Sequence, residues 1–312
     1  MQVKESCRGN GNVAPDHPRG RDPFGRPIPP SMEEPVLLTD VFVPVLTYPE
    51  ATPAEALDAA ASLARLFARS LDVCAFEIDI PDLRNRMGAA FINVEGMAAA
   101  AEARSRGAAH ALLSRAEAIA APMEVRTETV RVTLDQVGSA AARRARYHDL
   151  ALVSLDNASS DHRALAESLV FGSGRPVMLV PHGSTAGTTI DHVAIAWDGT
   201  AAASRAVHDA MPLLAVAGSV SLLTAGEEKD IAGKSVAAIT AHLERHGVRV
   251  SHVDLPVAGQ PVGAVLQDGA RSQGAGLLVM GAFGHSRVRD FVLGGATRLV
   301  LENLRVPVLL SH

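Results

Sequence analysis

Aromatic residues make up only 4% of this 312-residue chain, so its core must be built from Ala, Val and Leu rather than from stacked rings. Cysteine occurs twice, at Cys7 and Cys74. That excludes a disulfide framework and a cysteine metal site, and it fits a reducing, cytoplasmic setting. No run of about 18 apolar residues is present, so no membrane-spanning helix is expected. The N-terminus lacks an apolar signal core, so secretion is not expected either. Net charge is −5 without a dense basic stripe, which argues against a dedicated nucleic-acid binder. Catalytic signatures are also missing. There is no Gly-x-Ser-x-Gly elbow, no His-Glu-x2-His and no lysine-bearing phosphate loop. Fast ATP turnover is therefore not expected, although slow hydrolysis at a bound phosphate stays open. His242 and His246 share a helix face at metal-ligand spacing, but no partner ligand is near them in sequence, and a solvated face is expected. Cys74 lies in an apolar strand and reads as inert core.

Hydrophobic residues make up 47% of the chain, and their arrangement is ordered. Residues 1–35 are rich in Gly, Pro and Arg, lack apolar periodicity and read as a disordered tail. Met32 is an alternative start. From Val36 onward, strand and helix patterns alternate. In the first half the expected strands are Val41–Leu46, Leu71–Ile80, Val125–Val132, Leu150–Leu155 and Pro176–Pro181. The expected helices are Pro53–Ser70, Gly88–Ala120 and Leu134–Tyr147. The second half has strands at His192–Trp197, Val220–Thr224, Val248–Leu255, Leu277–Met280 and Pro307–Leu310. Its helices are Ala201–Val216, Lys229–His246, Val262–Gln273 and Ala296–Asn303. Gly183–Thr189 is a polar linker. Such alternation implies α/β architecture with parallel sheets and right-handed crossovers. It divides the chain into a domain at 36–183 and a second at 190–312, each doubly wound on five strands.

The halves read as an internal repeat. Arg175-Pro176-Val177-Met178-Leu179 matches Val306-Pro307-Val308-Leu309-Leu310, and Asp40 stands opposite Asp191. This alignment sets Thr47 against Asp198. Pro176 follows Val153 by 23 residues, whereas Pro307 follows Val279 by 28. The first half is thus short where the second carries a glycine loop, and it is expected to be a degenerate copy. The closing strands, Pro176–Pro181 and Pro307–His312, are expected to be edges. Exposed edges invite pairing, either between halves as an intrachain pseudo-dimer or between chains as a homodimer.

The glycine loop carries the chemistry. Met280-Gly281-Ala282-Phe283-Gly284-His285-Ser286-Arg287 leads to Leu293-Gly294-Gly295-Ala296-Thr297, which reads as Gly-x2-Gly, nine residues, then Gly-Gly-x-Thr. It follows an apolar strand and precedes a helical pattern. Glycines placed there let backbone N–H groups approach an anion at a helix N-terminus.

These residues resemble the universal stress protein family. Gly281, Gly284 and Gly294 match its glycine signature. Asp198, in Ala196-Trp197-Asp198-Gly199-Thr200, matches the acidic residue ending its first strand, and Thr297 matches a further Thr at the helix start. Gly295 departs from the pattern, standing where nucleotide-binding members carry Ser or Thr. The resemblance implies sheets of order 3-2-1-4-5, the adenine nucleotide alpha hydrolase-like arrangement. It also implies an ATP or ADP ligand, with or without Mg²⁺, in the second half, and dimer-like pairing of domains. On that reading Gly281 and Gly284 admit the nucleotide, and Met280 packs near the adenosine. Gly294, Gly295 and Ala296 donate N–H groups to phosphate, and Thr297 adds a hydroxyl. His285, Arg287 and Arg289 bring positive charge or form a solvated loop face. Asp198 faces the ribose or Mg²⁺, or caps the helix that follows. Function then divides between a nucleotide-regulated stress-response module, an interaction protein without nucleotide, and a weak ATPase.

Overall fold

The computed structural model of the chain describes residues 38–81, 94–119, 123–184, 189–226, 229–282 and 294–312. The tail at 1–35 lies outside them, and Val36–His312 form one compact unit. The first half runs β1 (Leu38–Leu46), α1 (Ala54–Ala64), β2 (Ala68–Ile78), α2 (Val94–Ala118), β3 (Glu124–Val132), α3 (Val137–Ala145), β4 (Leu150–Leu155), α4 (Ser160–Gly172) and β5 (Val177–Pro181). The second runs β6 (His192–Ala196), α5 (Ala201–Leu214), β7 (Ser219–Ala225), α6 (Lys229–Arg245), β8 (Val250–Leu255), α7 (Val262–Ser272), β9 (Leu277–Gly281), α8 (Gly295–Glu302) and β10 (Val308–Ser311).

Each half has the 3-2-1-4-5 order, and the two join in one ten-stranded sheet ordered β3-β2-β1-β4-β5-β10-β9-β6-β7-β8. Pairing is parallel within each half, and β5 meets β10 antiparallel, with Met178 opposite Leu309. The closing strands expected as edges are therefore interior, and the pairing they invite is satisfied within one chain. The edges of the sheet are β3 and β8. Along β3, Glu124, Arg126, Glu128 and Arg131 place charge on the edge, which discourages further strand addition. Asn157 ties the halves together beyond the sheet. Its Nδ2 donates to the Leu304 carbonyl at 3.1 Å, and its Oδ1 accepts from the Leu304 N–H at 2.8 Å.

Helices cover both faces. One core layer holds α1, α2, α5 and α6 through residues such as Leu57, Leu112, Val207 and Ile239. The other holds α3, α4, α7 and α8 through Val137, Leu169, Leu266 and Val300. The sequence pattern explains the packing. In α5 the buried residues are Ala203, Ala206, Val207, Ala210, Leu213 and Leu214, the spacing of one helix face. Among the described residues no helix is long and apolar enough to cross a membrane.

Three expectations need correction. The first helix ends at Ala64, not Ser70, because Ala68 onward pairs with β1 from Leu38; strand pairing overrides the helical propensity of that stretch. The helix expected over Leu134–Tyr147 is a 3₁₀ turn at Leu134–Gln136 followed by α3. Helix α4 was not expected at all. Ser159 caps it, with its side chain accepting from the His162 N–H, and Leu165, Ala166, Leu169 and Val170 face the core.

The repeat alignment is also off by one residue. Val43 neighbours Leu152 through the β1–β4 register, and Leu152 neighbours Met178. Ile195 likewise neighbours Val279, and Val279 neighbours Leu309. Since Met178 and Leu309 face each other at the centre, Val43 corresponds to Ile195. Leu46, not Thr47, then stands in the place of Asp198, and Ser154 in the place of Gly281.

Candidate functional site

Strands β6 and β9 are parallel neighbours. The helix after β6, α5, packs on one face, and the helix after β9, α8, packs on the other. Connections that leave in opposite directions open a crevice at the carboxyl ends of the two strands. A cavity of about 440 Å³ lies there, within the usual size range for small-molecule sites. Asp198, Met280, Gly281, Gly294, Gly295, Ala296 and Thr297 all line it. The sequence assignment thus converges on one place for these seven. Gly284, His285 and Arg287, with Arg289, lie outside the described residues.

The rest of the lining was not anticipated. Ala196, Trp197, Ala203, Ala225, Pro261, Val262 and Leu266 make most of the wall apolar. Trp197 is half-buried against the core and donates its Nε1–H to Ser235 Oγ at 2.9 Å. Pro261 and Val262 begin α7 and bring a second helix N-terminus to the cavity. A proline immediately before an apolar helical pattern was the available signal.

Polar character is concentrated at one end. Helix α8 follows Gly294 without a side-chain cap, so the N–H groups of Gly295 and Ala296 are suited to meet solvent or an anion. A Cβ on Gly295 would meet nothing within 4 Å, so that backbone is approachable. Thr297 is 2% exposed and sits in the same first turn. The start of α8 is fixed by α7. A Cβ on Gly263 would lie 2.6 Å from the Ala296 carbonyl oxygen, so the close helix crossing depends on that glycine.

Asp198 is exposed beyond the end of β6. Its Oδ1 accepts from the Thr200 N–H at 2.9 Å and from the Thr200 hydroxyl at 2.7 Å. Thr200, not Asp198, caps α5, its Oγ1 accepting from the Ala203 N–H at 3.2 Å. Asp198 therefore buttresses the cap rather than forming it, and its second oxygen stays directed to a ligand or solvent. It is the sole charged side chain among the described lining residues. The α7 and α8 N-termini contribute positive partial charge there.

Gly281 also has a packing role. A Cβ there would lie 2.5 Å from the Ala202 carbonyl carbon and 2.6 Å from the Ala203 nitrogen. The glycine lets the end of β9 pack on the first turn of α5, and that contact holds the two walls of the crevice together.

The equivalent end of the first half is closed. Thr52 Oγ1 accepts from the Leu46 N–H at 3.0 Å, folding the loop back over β1. Buried Thr47 donates to the Phe76 carbonyl at 2.5 Å and pairs with Ser105 Oγ at 2.7 Å. Beyond β4 the chain turns within Asp156–Ser159, with the Ser159 N–H donating to the Asp156 carbonyl at 3.1 Å, and enters α4 directly. No room is left for a glycine loop.

Residues 178–312 match the model of the universal stress protein family. No curated protein is similar to the chain by sequence. Among solved structures, a universal stress protein from Archaeoglobus fulgidus DSM 4304 is 15% identical, with a TM-score of 0.59, over 86% of this chain and 97% of that one. A putative universal stress protein from Pseudomonas aeruginosa UCBPP-PA14 is 14% identical, with a TM-score of 0.52, over 88% of this chain and 93% of its own. At these identities the likeness is one of fold, and it extends over both halves. The sequence match over residues 178–312 identifies the C-terminal half of this chain as a universal stress protein family domain.

Proposed function

We propose that the C-terminal half binds an adenine nucleotide, ATP or ADP, as a regulatory ligand in the cavity between β6 and β9. The observation that carries this reading is the pairing of an apolar cavity with an uncapped helix N-terminus at a topological switch point. The base and sugar would lie against the wall formed by Ala225, Pro261, Val262 and Met280. The phosphates would take N–H groups from Gly295 and Ala296, with the Thr297 hydroxyl nearby. The second oxygen of Asp198 would accept from a ribose hydroxyl or hold Mg²⁺ on the phosphates. No lysine and no histidine is among the described lining residues, which favours a ligand that is held over one that is turned over quickly.

The test is to denature the purified protein, identify any released nucleotide by chromatography, and compare Gly295→Asp. That substitution enters open space, and an acidic residue in the first turn favours the helix, so the fold should persist. It sets a negative charge where phosphate would lie, and affinity should fall on the order of tenfold or more. ATP or ADP near one equivalent per chain, lost in the variant, is the expected result. A nucleotide-free wild type with no ATP-dependent thermal shift would transfer the function to an interaction surface of the same fold.

A further inference from the structure

At the amino ends of the first-half strands, three side chains converge. Asp40 lies near the start of β1, Asp72 on β2 and His148 just before β4. One potential ligand atom from each lies within 4.8 Å of the other two. The histidine's surroundings fix its tautomer. Nδ1 is 3.0 Å from the Arg144 carbonyl oxygen, which can only accept, so Nδ1 carries the hydrogen. A neutral ring then presents the Nε2 lone pair, and Nε2 lies 2.8 Å from Asp72 Oδ2. Two acceptors at that separation repel unless a cation, proton or metal, lies between or beside them.

The remaining partners favour a metal. Arg126 Nε donates to the other oxygen of Asp72, Oδ1, at 2.5 Å. Asp72 therefore has a counter-charge without a protonated histidine, and Oδ2 is left facing the cluster. Asp40 Oδ1 accepts from the Asp149 N–H at 3.2 Å, which orients its carboxylate. Such outer partners, a carbonyl on the distal imidazole nitrogen and donors on the second carboxylate oxygens, are the usual supports of metal ligands. A cavity of about 180 Å³ adjoins Asp72 and His148, giving room for water to complete a coordination shell. The Phe42 ring, 5.0 Å from the imidazole centroid, backs the histidine.

The fold does not require this grouping. Registers traced across both halves put His192 opposite Asp40, Ser221 opposite Asp72 and Ala275 opposite His148. The second half builds the same end with none of the three residues conserved between halves. We propose that Asp40, Asp72 and His148 bind a divalent transition-metal ion of the zinc class, with water in the open positions. One imidazole and two carboxylates suit a borderline ion better than Mg²⁺, which prefers oxygen donors throughout.

The test uses the full-length chain, stripped of metal by chelator and free of nucleotide. Co²⁺ is titrated with visible absorption and calorimetric readouts, then displaced with Zn²⁺. The expected result is one Co²⁺ per chain, displaced by Zn²⁺, with affinity at least about tenfold weaker in His148→Ala and Asp40→Asn. Asp40→Asn keeps an acceptor for the Asp149 N–H, so its metal-free melting should match wild type and separate ligand loss from misfolding. Absence of stoichiometric Co²⁺ binding, or binding unchanged in both variants, would overturn the proposal. A His148-independent preference for Mg²⁺ would do the same. In those cases the pair is an imidazolium–carboxylate bridge.

Discussion

Replacing Gly281 by alanine separates two explanations of the glycine signature. If the glycine only admits the nucleotide, Gly281→Ala weakens binding and leaves the free protein's stability alone. The packing says otherwise. The added Cβ would meet three backbone atoms of Ala202 and Ala203 between 2.5 and 2.8 Å, and a helix backbone cannot rotate aside. The end of β9 or the start of α5 must retreat, and overpacking of this kind costs about 1–3 kcal/mol. Gly281 is not among the glycines with positive φ, so alanine also gains about 0.4–1 kcal/mol by restricting the unfolded chain. Set against rigid backbone, the clash belongs in the upper half of its range, about 2–3 kcal/mol, so the net loss should be roughly 1–2.6 kcal/mol. For a unit of this size that is a fall in Tm of about 2–10 °C. A retreat of α5 carries Thr200 and Asp198 with it, so ATP affinity should fall as well. The assay is thermal and urea unfolding without ligand, repeated with ATP. Gly107→Ala is the control, since its Cβ meets nothing within 4 Å in α2 and should stabilise by roughly 0.5–1 kcal/mol. A ligand-free Gly281→Ala protein that melts with wild type would refute the packing argument.

Gly295→Ser restores the hydroxyl of the family pattern in a position with open space. One further hydrogen bond to phosphate, worth roughly 0.5–1.5 kcal/mol, should tighten ATP binding several-fold by calorimetry without lowering the melting temperature. An unchanged affinity would mean that phosphate does not reach this turn. His162 gives a pH signature in the first half. It is 6% exposed, its Nδ1 accepts from the Asp156 N–H at 3.3 Å, and burial holds its pKa below the ordinary 6.5. The unfolded chain therefore takes up the proton first on acidification. The contribution is fully present above about pH 6.5 and is lost as pH falls through the folded value. His162→Asn keeps an acceptor for the Asp156 N–H and should show a shallower loss of stability between pH 7 and 5 in urea melts. Parallel slopes would remove His162 as the cause.

Local signals and long-range pairing differ in what the sequence reveals of them. Apolar runs such as Leu277–Met280 and Val41–Val45 mark interior strands because parallel strands bury both faces. The glycine spacing with Asp198 marks the crevice because backbone approach and a strand-end carboxylate are local requirements. Helix α4 carried a legible cap at Ser159 and core spacing from Leu165 to Val170. Its polar first turn and the Gly172-Ser173-Gly174 end masked it. The apolar wall of Ala225, Pro261 and Val262 comes from two elements, β7 and α7, far apart in the chain, and no local pattern links them. The register error between Thr47 and Leu46 has the same origin. Polar residues at strand starts, Asp40 and Asp191, hold no packing partner that could fix an alignment, whereas pairing across β4, β5, β10 and β9 fixes it without ambiguity.

That pairing also shows why one fold can hold two different sites. Both halves keep the same interior, so divergence is confined to the strand ends, where side chains leave the packed layers. At the carboxyl ends the second half keeps Gly281 and an open crevice, while the first places Ser154 and a closed turn there. At the amino ends the first half gathers Asp40, Asp72 and His148 where the second has His192, Ser221 and Ala275. Helix α8 links the halves physically. Its first turn lines the cavity of the second half, and the segment after it is tied at both sides. Gln267, fully buried, donates to the Asn303 carbonyl and accepts from the Arg305 N–H. Between those bonds, Leu304 is clamped by Asn157 of the first half. A ligand that drew the start of α8 inward would therefore pull on the first half through the two Asn157–Leu304 hydrogen bonds, while the two Gln267 bonds hold the same segment to α7.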